Sequence, residues 1–210
     1  MRILLAAATK LEIDPYVTKR KHPELLITGV GIPSTLYHLQ KKIYQEGVYD
    51  LIIQAGIGGS FTKDIEPGKV VVVGKDTFGD IGMEEKRHFT SIFNTPFYDK
   101  DQFPFEKGWL VNPNNLAGSL SLPIVNAITI NKISDSLLQK QQLMSSFSAQ
   151  VESMEGAALH YLCLQENIPF IQIRSISNYV GERDRSKWKM KEAIINLSTE
   201  LERLINDLTK

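Results

Sequence analysis

Three polar side chains stand where an α/β chain would hold a ligand. Glu12 lies four residues beyond the apolar run Ile3 to Ala8, and ligands of α/β sheets gather outside the carboxyl ends of the strands. In isolation, a glutamate there is also what an ordinary solvated surface looks like. Glu155 falls in the first turn of an expected helix, where the dipole favours an anion and capping alone would account for it. Glu152 offers that role too, which frees Glu155 for a ligand. Asn178 closes an apolar run (Ile168, Phe170, Ile171, Ile173, Ile176) just before the loop GERDRSKW. Its amide presents a donor and an acceptor side by side, suited either to a ligand's edge or to capping the following turn. Carboxylates with an amide suit acid–base work and hydrogen-bonded recognition.

Other chemistries find less support. The glycine clusters GVGIPS (29–34) and AGIGGS (55–60) complete neither GxGxxG nor GxxxxGK[ST], so no dinucleotide or nucleoside triphosphate site is expected. They read equally as tight turns or as cleft lining. His22, His38, His88 and His160 lack metal-binding spacing, and no metal is expected. His160, on a helical core pattern, reads as a buried, hydrogen-bonded residue. No GxSxG elbow supports acyl transfer. Cys163 is the only cysteine; set among leucines, it reads as core.

The elements that must position these residues follow from the apolar pattern. Ile3 to Ala8, Leu25 to Thr28, Leu51 to Ala55, Val70 to Val73, Ile124 to Ile130 and Phe170 to Ile176 are short continuous apolar runs, as expected of strands covered on both faces. Helices are expected over 33–46, where Pro33 suits a first turn, over 153–166, and at the C-terminus. There Met190, Ala193, Ile194, Leu197, Leu201, Leu204, Ile205 and Leu208 recur at helical spacing. The alternation predicts an α/β fold in three layers, a largely parallel, mixed, twisted sheet between helices. Residues 78–118 lack periodicity and read as a long excursion serving function or subunit contact.

The 210 residues are expected to form one domain, 1–210. Lys and Arg total 24, as do Asp and Glu, and no basic stripe suggests nucleic acid or an anionic membrane. The N-terminal apolar stretch is too short for a signal peptide, and no run reaches the roughly 18 residues of a membrane span. A soluble cytoplasmic protein with a small-molecule partner is expected.

Taken in order, the strand leading to Glu12, GVG before a helix, AGIGG at a strand end, VESMEGAA (151–158) and IPFIQIRSISN (168–178) resemble the nucleoside phosphorylase and nucleosidase superfamily. The branch it resembles contains methylthioadenosine/S-adenosylhomocysteine nucleosidase, and within it the likeness is strongest to the futalosine hydrolases of the alternative menaquinone pathway. The resemblance implies a nucleoside phosphorylase-like fold and hydrolysis of a purine N-glycosidic bond. By it, Glu12 would position or deprotonate the attacking water. Glu155 would hold the ribose hydroxyls and Met154 would pack on the sugar. Asn178 and Ser177 would face the purine, Gly58 would line the pocket, Asn131 would border the base, and Trp188 would wall the 5′ substituent. No cofactor is implied, and a homodimer or larger homo-oligomer is.

The adenosine-cleaving relatives carry aspartate where this chain has Asn178. An amide cannot act as a general acid, yet its NH2 suits O6 or N7 and its carbonyl suits N1–H, favouring a hypoxanthine-type base. Futalosine also carries a carboxylate beyond its ribose, and Arg183, Arg185 or Lys187 would suit it; equally, Arg183 and Arg185 would pair with Glu182 and Asp184 on the surface. Phosphorylases of the superfamily hold phosphate with cationic side chains. AGIGGS has no adjacent arginine, so hydrolysis is favoured. The competing readings are an adenosine-type nucleosidase, a phosphorylase, and a non-catalytic nucleoside-binding protein.

Overall fold

Alternate residues of the first strand, β1 (Ile3–Ala7), face different cores: Ile3, Leu5 and Ala7 join one apolar cluster, Leu4 and Ala6 another. Successive strand side chains point to opposite sheet faces, so an unbroken apolar run demands cover on both. The computed structural model describes residues 1–18, 23–114, 120–133 and 135–209; His22 and residues 115–118 of the expected excursion lie outside these. Ile13 and Tyr16 of helix α1 (Lys10–Val17) help to cover the first face, and Leu39 of α2 (Ile32–Glu46) the second.

Eight strands form the main sheet. They are β1, β2 (Glu24–Ile27), β3 (Leu51–Ser60), β4 (Val70–Asp76), β7 (Leu110–Val111), β8 (Ile124–Thr129), β9 (Val151–Ser153) and β10 (Phe170–Tyr179). Their order is β10-β4-β8-β9-β3-β1-β2, with β7 on β4. Because β10 also pairs with β3, strands β3, β10, β4, β8 and β9 close on themselves. The sheet is mixed as expected: β4 with β10, β3 with β9 and β4 with β7 run antiparallel, the other pairs parallel.

Helices α3 (Leu137–Phe147), α4 (Gly156–Gln165) and α5 (Met190–Leu208) complete the cover. In α5, Ala193, Ile194, Leu197, Leu201, Leu204 and Ile205 are buried, the stripe its spacing predicts. His160 and Cys163 of α4 are buried, with His160 Nδ1 2.9 Å from the Leu110 carbonyl. Burial lowers the His160 imidazole to about 4 and raises the Cys163 thiol.

Several elements differ from the expectation. AGIGGS is no turn but the second half of β3, interior to the sheet between β10 and β9. The helix expected from residue 153 begins at Gly156, after the short strand β9. The excursion contains a hairpin of β5 (Gly82–Glu85) and β6 (His88–Ser91), then returns through β7. Phe78, Phe93, Tyr98 and Phe105 pack with Tyr161 of α4, while Phe97 and Phe103 remain exposed.

Candidate active site

Helix α1 opens with the spacing Thr-x-x-Glu, in which an N-cap hydroxyl and the N3 carboxylate satisfy the first turn reciprocally. The Thr9 N–H and hydroxyl both donate to Glu12 Oε2 at 2.9 Å. From β3, the Ile57 N–H donates to Oε1 at 3.1 Å. A helix start and a strand thus fix one buried carboxylate in place, so Glu12 is not surface ornament.

Glu155 is the N-cap residue of α4, but its side chain does not cap; the Gly156 N–H donates to Ser153 Oγ instead. Nor can Glu152 supply the cap, since it lies within β9. The Glu155 carboxylate reaches away from its helix: the Gly31 N–H donates to Oε1 at 3.1 Å, and Arg174 Nη2 lies 3.8 Å from Oε2. Burial raises its carboxyl above the ordinary range, against the opposing pull of Arg174 and the Gly31 amide; nearby Glu12 pushes it further up.

Arg174 had no place among the candidates, because it sits inside an apolar strand. It is 1% exposed, donates from Nη2 to Gln54 Oε1 at 2.6 Å, and pairs with Glu155. A Cβ at Gly56 would come within 2.7 Å of Arg174 Nη1 and 2.9 Å of Glu12 Oε1. Glycine is required there because the guanidinium and the carboxylate meet over its backbone. An arginine therefore does stand beside AGIGGS in space, which removes the sequence argument against a phosphorylase. Its charge is committed, however, to Gln54, Glu155 and the neighbourhood of Glu12.

Glu12, Gly58, Met154, Glu155, Ser177, Asn178 and Trp188 all line one cleft of about 280 Å³. Its remaining walls are mostly apolar, among them Val30, Ile57, Ile130 and Ile194, as suits a small-molecule site with few polar groups. Asn131 does not line it. Its N–H and Nδ2 both donate to Asp80, at 2.6 and 3.1 Å, and the neighbouring Ile130 and Ile133 take that wall instead. Glu152 lines the cleft too, and burial raises its carboxyl to about 7.

Asn178 lies within β10 rather than beyond it, next to an irregularity in the pairing with β3 between Ile176 and Asn178. Its Nδ2 donates to the Tyr179 carbonyl at 2.9 Å, and its Oδ1 accepts from Ser177 Oγ at 2.7 Å. An amide NH2 has two hydrogens, so the second remains for a ligand. In the following loop, Lys187 pairs with Glu182 at 3.0 Å and Asp184 at 3.8 Å. Arg183 and Arg185 are exposed and make no such pair among the described residues. Trp188 Nε1 donates to the Glu182 carbonyl and the Lys189 N–H to the Ser177 carbonyl, tying the loop to the cleft's edge.

Residues 13–209 match the family model described as the phosphorylase superfamily. Among curated relatives, a futalosine hydrolase from Streptomyces coelicolor is 27% identical, covering 94% of this chain and 92% of that protein. A futalosine hydrolase from Thermus thermophilus is also 27% identical, covering 86% and 80%. Among solved structures, futalosine hydrolase from Helicobacter pylori superposes with a TM-score of 0.80 at 18% identity, covering 98% of this chain and 97% of that one. A methylthioadenosine/S-adenosylhomocysteine nucleosidase from Neisseria meningitidis gives 0.79 at 16% identity, covering 99% and 100%.

Proposed function

Because the chain belongs to the phosphorylase superfamily, we propose that it hydrolyses the N-glycosidic bond of a purine nucleoside, converting futalosine and water to dehypoxanthine futalosine and hypoxanthine. The observation that carries this reading is that two buried carboxylates, Glu12 and Glu155, line one apolar cleft with Arg174 beside both, its Nη1 meeting Glu12 Oε1 over Gly56 and its Nη2 3.8 Å from Glu155 Oε2. The two curated relatives named as futalosine hydrolases support the substrate.

Cleaving the bond between C1′ and N9 leaves the ribosyl group cation-like, and carboxylates beside it stabilise that charge. Glu12, held by Thr9 and Ile57, takes a proton from water as the water oxygen bonds to C1′. The electrons of the broken bond go to the base. Glu155, oriented by Gly31 and Arg174, accepts from the ribose hydroxyls, and Met154 packs against the sugar. Asn178 offers its second N–H to N7 or O6, where a departing 6-oxopurine gathers negative charge. Because Asn178 cannot donate a proton outright, such a base, which spreads its charge onto O6, suits this cleft better than adenine.

A phosphate at the same position would face Glu12 and Glu155 with Arg174 already paired, so water is the better nucleophile. Trp188 bounds the 5′ side, and Arg183 and Arg185, exposed beside it, are candidates for the distal carboxylate. The reading includes one nucleosidase domain over residues 1–210, a cytoplasmic location and a homodimer or larger assembly, with Phe97 and Phe103 suited to the subunit contact. Chromatography of futalosine incubated with the protein, with and without phosphate, tests the reaction. Equal release of hypoxanthine in both supports hydrolysis; release only with phosphate replaces it with phosphorolysis.

A further inference from the structure

Glu155 holds the position from which a helix is ordinarily capped, yet its carboxylate reaches away to Gly31 and Arg174. The first amides of a helix have no partner within it, so a buried helix start needs substitutes for the missing cap. For α4 they come from neighbouring strand ends. The Gly156 N–H donates to Ser153 Oγ at 3.2 Å, and the Ala157 N–H donates to Thr129 Oγ1 at 2.7 Å. Ala157 is the second residue of α4, whose amide an N-cap side chain commonly takes. Thr129 ends β8 and passes the bond on, its hydroxyl donating to Asp76 Oδ1 at 3.1 Å.

Asp76 ends β4, is wholly buried, and has no place in the mechanism above. Its Oδ1 also accepts from the Thr77 N–H at 2.8 Å, and its Oδ2 accepts from Gln172 Nε2 at 3.1 Å. Three donors offset part of the cost of burying this charge, and an anion beside a helix N-terminus is favoured by the dipole. Gln172 stands two residues before Arg174 on β10, so the two side chains leave the same face of the strand. One buried carboxylate thus joins the start of α4, which carries Glu155, to the strand that carries Arg174. Gly156 shows how closely they meet, since a Cβ there would run into Asp76 Oδ2 and Gln172 Nε2.

We propose that Asp76 and Thr129 are positioning residues: they cap α4 in place of Glu155 and so leave the Glu155 carboxylate to hold the ribose hydroxyls. This rests on the nucleosidase reading above. Without the Thr129 hydroxyl, the buried Ala157 N–H loses its acceptor. The Glu155 side chain is then drawn back to take that amide, as at an ordinary N-cap, and away from Gly31 and the sugar.

The test uses the purified full-length protein and measures two constants, the KM for futalosine and the inhibition constant of 2′-deoxyfutalosine against it. The analogue lacks a hydroxyl that Glu155 holds, so the ratio of the constants reports how well the carboxylate is placed. The parent should bind the analogue about 10- to 100-fold more weakly, the worth of a hydrogen bond to a charged group. Thr129→Val, similar in shape but without the hydroxyl, should lower that ratio about tenfold, chiefly by raising the KM. Thr129→Ser, which keeps the hydroxyl, should retain it. A merely structural role would reduce the yield or kcat of Thr129→Val and leave the ratio where it was. That result, with futalosine cleaved by the parent, overturns this inference alone. A parent ratio near one overturns it too, since Glu155 would then hold no 2′-hydroxyl. Where Thr129→Val does not fold, Asp76→Asn decides: it keeps an acceptor for Thr129 and Thr77 and removes the charge, and should lower the ratio about two- to fivefold. An unchanged ratio there refutes the assignment. A parent protein that does not cleave futalosine overturns the nucleosidase reading and this one with it.

Discussion

Replacing Glu152 with glutamine should make the protein more stable, and only in neutral to alkaline solution. Burial raises the Glu152 carboxyl from 4.5 to about 7, with Lys140 opposing. The folded state therefore holds the proton more tightly than the unfolded chain. Stability from this group is full below about pH 4.5, declines as pH rises, and has fully gone once pH passes about 7. At about 1.4 kcal/mol for each pH unit of that interval, the loss is about 3 kcal/mol. Glutamine cannot ionise, so the variant escapes it. Urea melts of parent and variant should give nearly equal stability at pH 4.5 and a variant about 2–3 kcal/mol more stable at pH 8, an amide's own desolvation taking the remainder. Asp76, buried and raised to about 6, gives both proteins a further pH slope that cancels in the comparison. A stability difference that is the same at both pH values would refute the reasoning, because Glu152 would then ionise as freely in the folded state as in the unfolded one.

Other perturbations probe the remaining parts of the cleft. Glu12→Gln should lower kcat by roughly 10²- to 10⁴-fold while leaving nucleoside binding by calorimetry largely intact, since the glutamine can still accept from Ile57. Gly56→Ala should yield a folded protein with kcat reduced by roughly 100-fold, because the new methyl displaces Arg174 and Glu12 by up to about 1 Å; circular dichroism and steady-state rates check it. Arg174→Met should cost about 3 kcal/mol of stability at pH 8, where Glu155 is left as an unpaired buried anion. The cost should shrink as pH falls, because burial already raises the Glu155 carboxyl and losing Arg174 removes an opposing pull, as paired melts would show. Asn178→Asp should lower kcat/KM for inosine-type nucleosides by roughly 10- to 100-fold and admit adenosine-type ones, measured by base release.

Much of the frame was legible because burial on both faces leaves a plain mark. The runs at Ile3, Leu51, Val70, Ile124 and Phe170 became β1, β3, β4, β8 and β10, and the stripe from Met190 became α5. Helix α1 escaped notice because it is short and contains Pro15, a residue that argues against a helix interior. AGIGGS read equally as a tight turn or as cleft lining; it forms no turn, but Gly58 and Gly59 do line the cleft. In the sheet the same glycines serve instead to admit Arg174, Glu12 and Glu152 at close range, a constraint that comes from neighbours distant in the chain. Arg174 was hidden for the opposite reason, a charge within IQIRSIS whose partners, Gln54 and Glu155, come from β3 and the start of α4. The resemblance implied that Asn131 borders the base, but Asp80, contributed by the excursion, takes up its side chain.

The central claim is cleavage of a nucleoside carrying a 6-oxopurine, and a single competition assay tests it most directly. Equimolar futalosine and methylthioadenosine would be given to the purified protein and the released bases separated and counted. Hypoxanthine released in at least tenfold excess over adenine, without added phosphate, is the predicted result. Adenine in excess would contradict it, leaving Asn178 without control over the base and the cleft belonging to an adenosine-type nucleosidase.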